Sequence, residues 1–96
     1  MPELLTVDRF EPLIGQPFRL DRAAPITLRL AAATRSGPRA PGFDREPFVL
    51  RFDGPQSPLL AQSIYRLAHD ELGDLDIFLV PVARDAGGVH YEAVFG

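Results

Sequence analysis

The 96-residue chain contains no cysteine, lysine, tryptophan or asparagine. Without cysteine there is no disulfide scaffold, no thiolate nucleophile and no sulfur-ligated zinc. Without lysine there is no P-loop amine and no Schiff base, and all ten basic residues are arginine. Long apolar runs are missing too: the longest, Ile77 to Ala83, is far short of a membrane span. Positive charge is scarce, ten arginines against 13 acidic residues, so binding nucleic acid by bulk charge is not expected. At the N-terminus Met1-Pro2-Glu3 starts acidic and Thr6-Val7-Asp8-Arg9 stops any apolar run, so no signal peptide is read and a soluble cytoplasmic protein is expected.

What is present is ordinary for a single folded domain: 46% hydrophobic and 24% charged residues. Charge is unevenly divided. Residues 1–52 hold eight Arg and six acids (+2), and residues 53–96 hold two Arg and seven acids (−5). Such polarity favours head-to-tail association or an acidic docking face, and it is equally a by-product of composition.

Period-two alternation is the main structural signal. Ile26, Leu28 and Leu30 share one face and Thr27 and Arg29 the other; Phe48, Leu50 and Phe52 alternate with Arg51; Val89, Tyr91, Ala93 and Phe95 alternate with His90 and Glu92. These read as half-buried antiparallel strands with one wet face. Asp76 to Val82 is apolar on both faces after its first residue and is expected near the middle of the sheet, with Pro81 at a bulge or strand end. Phe18-Arg19-Leu20 reads as a short opening strand, and Thr6 to Leu13 as one helical turn interrupted by Pro12. Gly73-Asp74 reads as a two-residue hairpin loop, and Asp85-Ala86-Gly87-Gly88 as the last turn. Residues 58–72 fit two patterns. Ser57-Pro58 is a good helix start and Leu60, Ile64, Leu67, Ala68 and Leu72 share a helical face, whereas Ser63, Tyr65, Leu67 and His69 share a strand face. The nine Phe and Tyr residues (Phe78 and Phe43 among them) are expected to supply most of the bulky core.

Residues 34–47 form a long Pro/Gly-rich connection, and loops of that length are often functional. Its prolines remove the N–H donors a phosphate cradle needs, but Arg35, Arg39 and Arg45 have the fork geometry to clamp an anion or a partner's carboxylate. The two histidines, His69 and His90, stand in no metal-ligand spacing, and the serines Ser36, Ser57 and Ser63 in no nucleophile elbow. Arg29, Arg51 and Arg66 recur on the polar faces with Asp76 and Glu92, which fits cross-strand ion pairing better than an anion-binding barrel mouth.

Gln62-Ser63-Ile64-Tyr65, His69, Leu72-Gly73, Phe78-Leu79-Val80-Pro81 and Tyr91-Glu92-Ala93-Val94-Phe95 together resemble a family of small bacterial domains of unknown function, with Phe10, Gly15, Phe18 and Leu28 to Leu30 fitting the same pattern. The final Gly96 departs from it, standing where the pattern has Asn. The resemblance implies a compact, mainly antiparallel β domain, favours strand for residues 62–69, associates the chain loosely with phage-tail-like systems, and brings no active site with it.

The fold expected is all-β, about six antiparallel strands in a small barrel or a tight sandwich, with at most a short N-terminal helical turn. No cofactor and no metal is expected. The leading functional expectation is a non-enzymatic interaction or assembly module with a protein partner. Sheet edges also make a homodimer an expected option. Alternatives are a small-ligand-binding barrel using Tyr65, His69, Tyr91 and an arginine, and a hydrolase or other enzyme centred on His69 with Asp70 or Glu71.

Overall fold

A computed structural model of the chain describes residues 5–20, 26–38, 41–42 and 46–95. The alternating segments form six strands: β1 (Pro17–Leu20), β2 (Ile26–Arg35), β3 (Phe48–Gly54), β4 (Ser63–His69), β5 (Gly73–Asp85) and β6 (Gly88–Phe95). All pairings are antiparallel, and the order β1-β2-β3-β6-β5-β4 closes on itself where Arg19 and Leu20 of β1 meet Ala68 and Leu67 of β4. The result is a closed barrel, not a sandwich.

The alternation predicted for β2, β3 and β6 holds. Leu28, Leu30, Leu50, Phe52, Val89, Tyr91 and Ala93 point into the barrel, and Phe18, Leu67, Ile77 and Leu79 complete the interior from the other strands. Two bulges adjust the phase. In β2 the register shifts at Ala31, so that inward positions change from even numbers to odd, and in β5 it shifts at Val82, immediately after Pro81. A proline beside an irregularity is where its missing N–H costs the ladder least.

Both barrel ends are plugged by apolar residues from the connections. At one end helix α1 (Val7–Phe10) runs into a 3-10 turn (Glu11–Leu13) that accommodates Pro12. The ring of Phe10 lies 5.8 Å from that of Phe48 and 5.9 Å from that of Phe95, which stack on each other at 4.6 Å. At the other end the chain must travel from the end of β3 to the start of β4, which are separated by β6 and β5, and this 55–62 connection buries Leu60 in the core.

Three expectations are corrected, and the two patterns of residues 58–72 are decided between. The long loop starts later, because β2 continues to Arg35 and Ser36 N–H donates to the Pro47 carbonyl. The β4–β5 turn is Asp70-Glu71-Leu72, since His69 pairs with Gly73, whose φ of 74° takes the left-handed position after a three-residue loop. β5 is buried on one face only: Ile77 and Leu79 are inside, while Phe78 and Val82 lie outside, so Phe78 is not a core residue. In a ring no strand is central, and among the described residues no element packs on the outer face of β5. Residues 63–69 are strand, as the resemblance favoured, and the helical spacing comes from Leu60, a barrel plug, falling in phase with Ile64 and Leu67.

Candidate functional site

The residues singled out as site candidates do not converge on one pocket. Tyr91 points inward and its hydroxyl accepts the Leu60 N–H at 3.0 Å. The Tyr65 hydroxyl donates to the carbonyl of the next residue, Ala61, at 2.6 Å. Both tyrosines therefore pin the 55–62 connection across the barrel end. His69, 4% exposed, sits at the opposite end. Its Nδ1 accepts the turn N–H groups of Glu71 (3.0 Å) and Leu72 (3.4 Å), which leaves the proton on Nε2, donated to Gln16 Oε1 at 2.8 Å. With its ring 4.7 Å from Phe18, His69 organises the β4–β5 turn, and neither of its nitrogens is open to a substrate. Asp70, the neighbour considered as its acid–base partner, instead accepts from Arg19 at 3.0 Å. The interior proposed for a ligand is occupied by the core side chains themselves.

Arg35 is engaged within its own chain. Its guanidinium meets Asp8 (2.8 Å), Glu11 (3.2 Å) and Glu46 (3.2 Å), tying α1, the 3-10 turn and the end of the long loop to β2. Arg39 and Arg45 lie outside the described residues. Among the described residues no three His, Asp or Glu side chains are grouped to hold a metal ion. The cross-strand pairing expected on the outer face is present, with Arg66–Asp76 at 3.2 Å and Arg29–Asp53 at 3.3 Å.

A cluster that sequence reasoning missed lies on the outside of β6. His90, 7% exposed, places Nδ1 at 2.6 Å from Asp53 Oδ1 on β3 and Nε2 at 2.8 Å from Asp85 Oδ2 on β5. A neutral imidazole has one N–H, so only the imidazolium donates to both carboxylates. The hydrogen bond to Asp53, then that to Asp85, raise the His90 pKa above the ordinary histidine value, with burial opposing them. The His90 bond, then the Gly87 N–H, hold the Asp85 carboxyl below its usual range. Arg29 and Arg51 (3.5 Å) also face Asp53. The alternation had put His90 on the outer face; that Asp53 and Asp85 flank it depends on β3 lying beside β6, a long-range pairing.

This cluster makes stability depend on pH with a defined sign. A histidine whose folded pKa is raised contributes in full below its unfolded value of about 6.5, and the contribution is lost as pH rises through the folded value. An aspartate whose folded pKa is lowered contributes above about 3.9 and loses that contribution as pH falls through its folded value. Urea unfolding is therefore expected to show a plateau between about pH 4 and 6.5 and a decline above it. A His90→Gln variant should be less stable at pH 6 and lack the alkaline decline. An unchanged decline in that variant would place its origin elsewhere.

The outer face carries a second unanticipated feature. Ile64 on β4 pairs with Phe78 on β5, and Val94 on β6 pairs with Val49 on β3. The β5–β6 register, which sets Val80 opposite Glu92, brings Phe78 opposite Val94 when continued by two residues. The four residues thus form one row across four adjacent strands. Ile64 is 66%, Phe78 46% and Val94 68% exposed, and Val49 is half-buried. Ion pairs of mixed charge normally occupy such positions on a wet face, as Arg66 and Asp76 do in the adjacent row.

Fold and surface together define a small closed antiparallel β-barrel with plugged ends and an apolar row on its outside. The family model for a domain of unknown function, DUF6916, matches residues 5–95, and the chain belongs to that family. No curated protein and no solved structure matches the chain. No helix among the described residues is long and apolar enough to cross a membrane.

Proposed function

We propose that the domain is a non-enzymatic protein-interaction or assembly module that docks through the outer row Ile64–Phe78–Val94–Val49. The observation that carries this reading is the row itself. Large apolar side chains on the wet side of a closed barrel contribute nothing to its core, and contiguous exposed apolar surface on a small domain marks a contact site. The engagement of Tyr65, His69, Tyr91 and Arg35 in holding the fold supports the same view, because the polar groups first considered for chemistry have internal work. A phage-tail-like assembly, the setting with which the sequence resemblance associates the chain, is where such a module would act.

The test is affinity capture from native lysate with three baits: the wild type, a Phe78→Glu/Val94→Glu variant and an Arg39→Ala/Arg45→Ala variant. The expected result is a discrete partner retained by the arginine variant and lost by the row variant, with an unchanged circular dichroism spectrum. Partners retained in full by the row variant would overturn the reading, and loss only in the arginine variant would move the contact to the loop.

A further inference from the structure

Resting on that reading, we propose that the β4–β5 end of the row is taken by a second copy of this chain, in a symmetric dimer with its two-fold axis between β4 and β5 and parallel to them. Ile64 and Phe78 stand on the outer face of the β4–β5 ribbon, so a second copy that covers them packs face to face. The β4–β5 ribbon is self-complementary in two adjacent rows. One row is the exposed pair Ile64 and Phe78, and the next is the pair Arg66 and Asp76, whose side chains are 57% and 59% exposed and joined at 3.2 Å.

A two-fold axis between the strands exchanges the two columns. It sets Ile64 over the partner's Phe78 and Phe78 over the partner's Ile64, the isologous arrangement of a closed dimer. The same rotation sets Arg66 over the partner's Asp76, and Asp76 over the partner's Arg66. Each copy's ion pair thus meets its charge complement beside an apolar centre. An axis along the row would instead lay Asp76 over the partner's half-buried Val80, and this alternative has no such match. The Val94–Val49 end remains uncovered, which leaves each copy a second contact and makes the dimer a unit of assembly.

The patch is small, so the dimer is expected to be weak, with a dissociation constant of roughly 1–100 µM. Sedimentation equilibrium of the full chain should show its mass rising from 10.6 kDa toward twice that value with concentration. Phe78→Glu should hold it at the monomer mass with an unchanged circular dichroism spectrum. Arg66→Glu makes both facing positions acidic, and Asp76→Arg makes both basic, so each variant alone should associate at least about tenfold more weakly. Mixed in equal amounts, the two should form a heterodimer as tight as the wild type, because each then presents the other's complement. That rescue requires the positions to face each other across copies, and it also shows that both variants are folded.

A wild type that stays monomeric to about 500 µM overturns the dimer, as does a dimeric Phe78→Glu variant or a mixture that fails to associate. If the wild type is monomeric yet Val94→Glu still loses its captured partner, only self-association fails and the docking reading stands. If self-association follows the predictions but no bait variant alters capture, the row serves the dimer alone.

Discussion

Replacing Gly88 with alanine is expected to lower the melting temperature by roughly 12–24 °C, the equivalent of about 3 kcal/mol in a domain of this size. Gly88 opens β6 with a φ of 124°, a region that residues with a Cβ rarely adopt. That strain alone costs on the order of 1–3 kcal/mol. The added Cβ also points straight at the Gly54 carbonyl oxygen, where β3 ends. The obstacle is backbone, not the tip of a flexible side chain, so β3 and the last hairpin must part. Parting them pulls on Asp53 and Asp85, the carboxylates that hold His90 from the two sides. The variant should therefore lose the alkaline decline in stability along with the stability itself. Gly87→Ala is the control for the backbone clash: its Cβ would stand 3.2 Å from the Asp85 carboxylate, an exposed side chain that can give way at the expense of its bond to His90 without parting the strands, so its melting temperature should fall far less. A Gly88→Ala protein melting within a few degrees of wild type would mean that the β3–hairpin contact is not tight.

Gly54 makes the same joint from the other side. A Cβ there would come within 2.6 Å of Leu28 Cδ2 and 3.4 Å of the Tyr91 ring, both fully buried. Two glycines thus let β3, β6 and the barrel interior meet where the 55–62 connection departs. In the sequence, Gly87-Gly88 reads only as part of the last turn, and nothing local links it to Gly54. That they touch follows from β3 pairing with β6 along its whole length, from Phe48–Phe95 to Gly54–Val89.

The same division runs through the molecule. Local alternation places the inward faces of β2, β3 and β6, because a period of two is enforced residue by residue along a strand with one dry side. It cannot tell a barrel from a sandwich, since that choice rests on two residue pairs between β1 and β4, about 50 positions apart in the chain. It also misreads β5. An unbroken apolar run looks like burial on both faces, yet Phe78 and Val82 are outside, and this excess of apolar residues over core positions is the surface signal itself. The role of His69 hangs on the turn that follows it: its Nδ1 accepts the Glu71 and Leu72 N–H groups only because the loop is Asp70-Glu71-Leu72 and not Gly73-Asp74. The His90 cluster was not legible, because Asp53 lies 37 positions away and only the strand order makes them neighbours.

Truncating Phe10 to alanine is expected to cost about 3–5 kcal/mol, a large part of what a domain this size possesses. Phe10 is fully buried and closes the barrel end against the stacked pair Phe48 and Phe95. Its removal leaves a cavity walled by rigid β-structure, which collapses little. Arg35→Gln provides the comparison, because it severs two ion pairs that tie the same segment to β2 and a third to Glu46 at the end of the long loop. Those pairs are half exposed, and such pairs contribute about 0–1 kcal/mol each, so the loss should be smaller despite the greater number of bonds broken. Urea midpoints at two salt concentrations decide the matter. Phe10→Ala should shift the midpoint far and independently of salt, whereas Arg35→Gln should shift it modestly and less at high salt. A larger effect from Arg35→Gln would mean that the N-terminal segment is held by charge and not by the aromatic plug. If Phe10→Ala instead left the midpoint unchanged and exposed only the amides of β2 to hydrogen exchange, α1 would be a docked appendage to a barrel that stands without it.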